Sequence, residues 1–393
     1  MLKRLFILSI SVAIFGFAKG QTVTDTFTLA STQAISTAVP FLTITPDARA
    51  GGMGDLGVAT SPDVYSMHWN AAKYAFSSDK AGTAISYTPW LRNLASDISL
   101  LQLVGYFKNN DRQAFAASLT YFSVGDIQLT NANGEDITAI RPNEFAIDGA
   151  YALKLTDYLS GAITLRFIYS NITGGFSADG STADSKPGIA FAGDLGFYYN
   201  NTVTVGGNDL DVSGGIQLSN IGSKISYGST YSNFIPANFR LGGGVGYKFN
   251  DYNKLTWNLD LNKLMVPTPP IRDNDGNIIL GKEIPSSVPV AIIQSFYDAP
   301  LGFKEELAEF MISTGFEYSY KDMAFIRAGY FGESQYKGNR KYATAGLGFN
   351  FKSLNIDLSY IIPVSGNQAL QGIMRVSLSA TFGGKNKTVN KVE

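Results

Sequence analysis

The sequence contains no cysteine and only one histidine, His68. The absence of cysteine excludes disulfide bonds and thiol chemistry. One histidine cannot form the cluster of histidine, cysteine and carboxylate ligands on which a typical metal site depends. A serine-histidine-aspartate triad would have to use His68. Ser66 and Asp63 lie nearby in sequence, but nearness in sequence alone does not build a triad. We therefore expect His68 to be a packed structural residue, and we predict no catalytic residues, no metal and no cofactor.

Charge and long apolar runs are also scarce. Charged residues make up 16% of the chain, whereas hydrophobic residues reach 45%, and soluble proteins of this size usually carry more charge. The net charge of −1 argues against nucleic acid as a partner, because such partners need a basic surface. Beyond the N-terminus, no apolar run approaches the roughly 20 residues that a transmembrane helix needs. A membrane protein of this composition would have to cross by alternating β-strands.

The first twenty residues have the pattern of a secretory signal peptide. Lys3 and Arg4 precede an apolar run at 5–17, and Ala18 and Gly20 stand at the small-residue positions of a cleavage site. The alternative is a transmembrane anchor, for which the run is short. We predict that residues 1–20 are removed and that the mature chain begins at Gln21.

From about Ala81 onward, strand-like runs recur with a period of two. In the run 255–262, Leu255, Trp257, Leu259 and Leu261 lie on one face and small polar residues on the other. Small polar residues and glycine on the second face fit a barrel lumen better than the charged exterior of a soluble sandwich. The sequence predicts an all-β fold, a transmembrane antiparallel β-barrel of about 14 strands with an N-terminal plug segment.

The connections between runs alternate between short and long. A barrel with short periplasmic turns and long external loops has this asymmetry, whereas a soluble sandwich has no reason for it. We predict a barrel over 81–382 in the outer membrane of a Gram-negative cell, with a periplasmic tail at 383–393 and both termini periplasmic. Several charged residues fall on predicted inward faces, where they either pair across the lumen or line a polar path: Asp148, Arg166, Asp260, Arg327, Asp357 and Arg375.

Residues 21–80 are predicted to form the N-terminal extension and the plug. The stretch 41–76 has neither strand nor helix periodicity, and GGMGDLG within it lacks the lysine and serine or threonine of a phosphate-binding loop. Its glycines more plausibly permit positive φ angles and close packing inside a narrow barrel. The candidate plug residues are Arg49, Gly51, Gly52, Gly54, His68, Trp69 and Asn70.

The connection from Met265 to Leu307 is unusually long, and such loops are commonly functional. It turns apolar at 288–303, and a short helix is predicted at 304–309. If exposed, its apolar residues would form a patch that marks a contact with a partner. In the alternative, the loop folds back and closes the mouth of its own barrel. The candidate partner-binding residues are Ile292, Ile293, Phe296 and Tyr297.

The plug followed by about fourteen strands resembles the FadL-like outer-membrane proteins. That family commonly carries an Asn-Pro-Ala element in its plug, and here Trp69-Asn70-Ala71-Ala72 matches it except that Ala71 replaces proline. The stretch 45–76, TPDARAGGMGDLGVATSPDVYSMHWNAAKYAF, is similar to the PorV family, also called LptO, of the Bacteroidetes type IX secretion system. Related barrels of the same phylum share this general architecture.

The resemblance implies a non-enzymatic role in protein secretion. PorV-like proteins receive cargo with a C-terminal signal domain as it leaves an SprA-type translocon barrel, and carry it to a PorU-type sortase. The implied partners are these three and the lipid of the outer membrane. Two further functions remain open: transport of hydrophobic small molecules, as in classical FadL-like proteins, and enzymatic action on lipid A. The first needs an apolar path past the plug, and the second a nucleophile or base that the sequence does not supply.

Overall fold

A computed structural model describes residues 34–93, 95–130, 133–174, 186–228, 231–364 and 370–383 of the chain. The predicted signal peptide, residues 21–33 of the predicted extension, and 384–393 of the predicted tail lie outside the described residues. Within the described ranges, no helix combines the length and the apolar character needed to cross a membrane.

Fourteen antiparallel strands form one closed barrel, which confirms the predicted fold class. Numbered in chain order with the two small hairpins included, its strands are β1 (Ala81–Pro89), β2 (Ser99–Lys108), β3 (Gln113–Ser123), β6 (Asn143–Lys154), β7 (Leu159–Asn171), β8 (Gly188–Val205), β9 (Asn208–Gly222), β10 (Asn238–Asn250), β11 (Asn253–Leu264), β14 (Met311–Tyr320), β15 (Ala324–Gly332), β16 (Lys341–Phe351), β17 (Leu354–Pro363) and β18 (Met374–Phe382). The hairpins are β4 (Ile127–Thr130) with β5 (Asp136–Ile140), and β12 (Ile271–Arg272) with β13 (Ile278–Leu280). Pairing of β1 with β18, from Ala81 opposite Phe382, closes the ring.

Alternation along each strand separates the lumen from the outer wall. In β7, Thr164 and Arg166 are buried inside the barrel, whereas Ile163 and Leu165 are exposed on the outside. A strand whose exposed face is the apolar one fits hydrocarbon rather than water. The outward side chains therefore form the lipid-facing belt of an outer-membrane barrel.

The two ends of the barrel differ as predicted. Tight turns join the strands at one end, and the turn after β8 is only Gly206–Gly207, shorter than the 201–208 connection that the sequence indicated. Long loops join them at the other end. The first described residues lie at the long-loop end: the Ala38 N–H donates to the Phe234 carbonyl at 2.9 Å, and the Phe41 ring stacks on Phe122. The predicted periplasmic N-terminus concerns residues 21–33, outside the described residues.

The plug runs from the long-loop end through the lumen to the start of β1. Its regular elements are two 3-10 helices, Pro40–Thr43 and Ala71–Phe76, and two single-turn helices, α1 (Ala48–Gly51) and α2 (Ser66–Trp69). Between them the chain follows the inner wall, from β18 through β16, β15, β11, β9, β8 and β7 to β2. Successive contacts mark this path: Ala48 with Ser377, Gly52 with Gly346, Met53 with Gly329, Gly57 with Asp260, Val58 with Gly215, Asn70 with Phe197, Ala72 with Ser160, and Tyr74 with Tyr106.

The plug backbone lies directly against the wall, and wall glycines make the room. A Cβ placed on Gly329 of β15 would lie 2.1 Å from the Met53 carbonyl carbon, and one on Gly215 of β9 would lie 2.4 Å from the Val58 oxygen. Real Cβ atoms do not come so close to backbone, so either the plug or the strand would have to move. The wall and the plug are therefore fitted to one another.

We expect Gly329→Val to displace the plug and destabilise the barrel, by more than the ~1–3 kcal/mol typical of an overpacked core. Unfolding monitored by the heat-dependent shift in gel mobility of the refolded protein measures the effect. Gly149→Val is the matched control, because a Cβ at Gly149 on the outer face of β6 meets nothing within 4 Å. Equal stability of the two variants would contradict the fitted plug.

Candidate functional site

A chain of buried ion pairs fastens the plug to β14, β15 and β17. The Arg49 guanidinium contacts the Asp63 carboxylate at 2.6 Å and the Glu317 carboxylate at 3.0 Å. Arg327 contacts the same Glu317 at 2.7 Å and reaches Asp357 at 2.6 Å. Each charge has an opposite partner, as burial in a medium of low dielectric requires. Arg49, predicted only as a plug residue, thus links two plug segments to the wall.

Further contacts hold the middle of the plug. Arg375 of β18 pairs with Asp55 at 3.1 Å. On the opposite wall, the Asp260 carboxylate of β11 accepts hydrogen bonds from the N–H groups of Gly57 and Val58 at 2.8 and 3.0 Å. The inward charges were predicted either to pair across the lumen or to line a polar path. In the structure they pair with the plug or with neighbouring strands. Arg166, which binds Asp148 and Asp194 on adjacent strands, shows the second case.

The predicted glycines of the plug serve two different needs. Gly54 has a φ of +81°, a conformation that side chains rarely adopt, and its N–H donates to the Thr344 hydroxyl at 2.9 Å. Gly51 and Gly52 are packing positions, where a Cβ would lie 2.6 Å from Arg375 and 2.9 Å from Gly346. Both predicted uses of glycine, positive φ and close packing, are present.

The side chains of Trp69 and Asn70 form hydrogen bonds that hold two parts of the plug in place. The Trp69 indole N–H and the Ala50 backbone N–H both donate to the Asp47 carboxylate at 2.8 Å. Burial raises the pKa of Asp47 to about 6 despite these donors. The Asn70 side chain accepts from the Ala72 N–H at 3.2 Å and so caps the 3-10 helix at 71–76. Ala71 occupies its first position, where proline is also compatible because that N–H needs no helical partner.

His68 takes no part in a catalytic triad. The Ser66 hydroxyl donates to the Asp63 carboxylate at 3.0 Å instead. Burial, together with the charges of Arg240 and Arg166, lowers the pKa of His68 well below its ordinary value. The imidazole packs against Trp69 and meets its ring edge to face at 4.9 Å between ring centroids. Across the described ranges, no three histidine or carboxylate side chains are grouped to hold a metal ion.

The long loop contains two helices, α3 (Val288–Gln294) and α4 (Phe303–Ala308), the second close to the helix predicted at 304–309. Ile293, Phe296 and Tyr297 are exposed, whereas Ile292 packs against a small apolar cluster at the barrel rim around Met265. Three of the four candidate residues are therefore free to touch another molecule, and the fourth seats the loop.

The loop lies against the outer wall of the barrel. Arg240 of β10 faces the plug, so its neighbour Phe239 faces outward, and the Phe296 ring meets Phe239 at 6.4 Å between centroids. Ile292 also packs near the outward Leu218 of β9. The same cluster includes Ile35 and Phe234 at the long-loop end, so the loop packs on the rim as well as on the outer wall. The alternative, in which the loop closes the barrel mouth, stays a prediction.

A buried charge cluster beneath the loop was missed by the sequence reasoning. Lys263 of β11 follows Leu259 and Leu261 on the outward face, yet it is fully buried and bonded to Glu309 and Glu306. Lys337 joins it, at 2.5 Å from Glu305 and 3.0 Å from Glu309. One signal was present in the sequence: a lysine at the end of an otherwise apolar strand face needs a partner.

The family described as "Type IX secretion system protein PorV" matches residues 27–271, which span the plug and the barrel strands from β1 to β11. No curated protein matches the chain. Among solved structures, the Pseudomonas putida toluene transporter TodX aligns over 84% of this chain and 96% of its own, with 11% identity and a TM-score of 0.48. The Ralstonia pickettii toluene transporter TbuX covers 85% of this chain and 96% of its own, with 12% identity and a TM-score of 0.44.

Removing Arg49 leaves the buried Glu317 carboxylate and the partly buried Asp63 carboxylate short of a positive partner. We expect Arg49→Gln to lower the free energy of unfolding by ~3–5 kcal/mol, the usual cost of breaking a buried pair. Urea unfolding of the refolded barrel measures it. In the control, Arg141→Gln removes the exposed pair with Asp126, which should leave the free energy of unfolding almost unchanged because water screens such pairs. Equal effects would show that the Arg49 contacts do not hold the plug.

Because His68 is the one histidine of the chain, its titration can be followed without assignment. The imidazole should stay neutral at pH 5.5, where an ordinary histidine with a pKa near 6.5 is mostly charged. Carbon-13 NMR of histidine-labelled protein in detergent would report the state directly. A titration centred near pH 6.5 would contradict the buried placement.

Proposed function

The chain belongs to the PorV family of type IX secretion system proteins, and on that premise we propose that it is a non-enzymatic component which binds exported cargo. In this proposal the barrel receives the C-terminal signal domain of cargo at an SprA-type translocon. It then carries the cargo to a PorU-type sortase for attachment to the cell surface. The family match is the observation that carries the proposal.

The anchored plug supports a role exerted from the outside of the barrel. Passage of a polypeptide through the lumen would require release of Arg49 from Glu317, of Asp55 from Arg375, and of the plug backbone from Asp260. Each release would remove a bonding partner from a buried charge, which is costly. The same cost weighs against a transporter of hydrophobic small molecules. Cargo and translocon are therefore proposed to contact the exterior surface.

The long loop offers the surface that best suits such a contact. Ile293, Phe296 and Tyr297 are exposed together at the end of α3, and clustered apolar and aromatic side chains commonly supply most of the energy of a protein interface. Glu305, Glu306 and Asp298 of this segment are buried, so these three carboxylates would not have to lose water when a partner binds. We propose these three residues as the contact, with Ile292 holding the loop in place.

The orientation of the barrel is part of the proposal. Short turns at the end where β1 begins and β18 ends fit the periplasmic side, and long loops fit the cell surface. This places the loop at 265–310 outside the cell, where surface attachment takes place.

Purification of the tagged protein from detergent-solubilised outer membranes of its own cells, followed by mass spectrometry, tests the function. We expect a very large translocon barrel and secreted proteins that share a C-terminal domain. Recovery of the barrel alone, or with a bound apolar small molecule, would overturn the secretion role and favour transport.

The same purification tests the surface. Ile293→Glu and Phe296→Glu should each reduce recovery of these partners about tenfold or more, as expected when ~1.4 kcal/mol or more is lost at an interface hot spot. Ile137→Glu, on the exposed hairpin strand β5 of another loop, is the control and should leave recovery unchanged. If partners are recovered equally with all variants, the function stands and the contact lies elsewhere.

A further inference from the structure

The polarity of α4 is inverted relative to a helix in water. Phe303 and Leu307 are 75% and 54% exposed, whereas Glu305 and Glu306 are 1% and 6% exposed. Carboxylates are almost never buried while apolar side chains of the same helix are exposed. Such an arrangement is expected only where the carboxylates are paired and the apolar side chains face an apolar medium. The outward face of α4 therefore suits an apolar environment.

Helix α3 and the residues after it repeat the inversion. Val290 and Ile293 point away from the barrel, and Ser295 and Asp298 are buried against it. Two successive segments thus turn apolar side chains outward. We call these side chains, together with Phe296 and Tyr297, the apolar face of the loop. Patches of this kind rarely face water.

Specific bonds hold the apolar face outward. The Glu306 carboxylate accepts from the Ala299 N–H at 2.8 Å and pairs with Lys263 at 3.3 Å. Glu305 accepts from the Leu301 N–H at 2.8 Å and pairs with Lys337 at 2.5 Å. Turning α4 over would break these bonds, take two carboxylates away from the buried lysines Lys263 and Lys337, and leave Glu309 as their remaining partner. The inversion is therefore built into the fold.

The apolar face continues the lipid-facing belt of the barrel. Phe296 touches the outward Phe239, and the next outward residue of β10, Leu241, is itself exposed. On β14, Ile312 continues the outward row just beyond the end of α4. The outward residues named on these rows, Phe239, Leu241 and Ile312, are all apolar.

We propose that the segment 288–307 is inserted in the membrane leaflet at the long-loop end, with lipid acyl chains against Ile293, Phe296, Phe303 and Leu307. Continuity with the belt selects acyl chains as the occupant, because the wall immediately below already faces them. Lys282, whose Nζ lies 3.9 Å from the Tyr297 ring centroid, and the exposed Lys304 are placed to reach lipid phosphates. The loop is then a membrane-embedded collar on one side of the barrel.

This placement concerns the free barrel and does not rest on the secretion role. It does bear on it, because a partner that reaches Ile293 or Phe296 would have to replace lipid there. Such a partner would approach within the plane of the membrane.

Since the chain contains no cysteine, single spin labels can be placed at will. Ile293→Cys, Phe303→Cys and Leu307→Cys would each carry a nitroxide in the full mature chain, refolded into vesicles of phosphatidylethanolamine and phosphatidylglycerol without any partner. Collision with oxygen, which concentrates in lipid, is compared with collision with a water-soluble nickel chelate. Gel mobility first establishes that each labelled barrel is folded.

Two controls bracket the result. Leu347→Cys lies on the exposed outer face of β16 and should collide mainly with oxygen, and Asp275→Cys lies at the exposed turn between β12 and β13 and should collide mainly with nickel. We expect all three loop labels to collide mainly with oxygen, as the label at Leu347→Cys does. They should collide with nickel much less often than the label at Asp275→Cys does. Nickel collisions as frequent as at Asp275→Cys would overturn the proposal. Shielding from both reagents would also overturn it, because it would mean that a second copy of the chain covers the face.

Discussion

The structure depends on the close approach of the plug backbone to the inner wall. A β-barrel of fourteen strands is wider than the eight-stranded barrels whose interiors side chains alone can fill. Here a chain segment, the plug, lies in the lumen in addition to side chains. Glycines on both surfaces let the two backbones come within contact distance, as Gly52 does against Gly346. Wall side chains such as Asp260 and Thr344 then bond the plug N–H groups that no helix or sheet satisfies. The same close approach therefore provides both the packing of the plug and the hydrogen bonds of its backbone.

Charged side chains on both the inner and the outer side of the barrel wall are paired with carboxylates. Inside, Arg49, Arg327 and Arg375 each find a carboxylate on the plug or on a neighbouring strand. Outside, Lys263 finds Glu309 and Glu306 in the long loop. In both places a charge on a strand is covered by a segment from elsewhere in the chain. The barrel can therefore carry charges on membrane-spanning strands without exposing them to lipid.

Much of the fold could be predicted from the sequence because a barrel strand repeats one local pattern. Alternation such as that of Leu255 to Leu261 depends on neighbouring residues alone, and the strand number and the asymmetry of the connections follow from repeating it. The glycines of the plug were also visible as a cluster. The contacts of the loop were not, because they join residues far apart in sequence, such as Lys263 and Glu309. Nor could the pairing of Arg49 be chosen from sequence, since several carboxylates fall on inward faces and only the path of the plug selects Glu317.

The path of the plug has a consequence for how the protein is assembled. The plug enters at one end of the barrel and reaches β1 at the other end. The first part of the plug contacts β18 through Ala48, and its last part contacts β2 through Tyr74. A ring already closed would have to be threaded by residues as bulky as Phe41 and Trp69. Joining β1 to β18 as the final step avoids threading, because the sheet can curl around a plug that is already in place. The machinery that inserts this barrel would then work on an open sheet with its N-terminal segment lying across it.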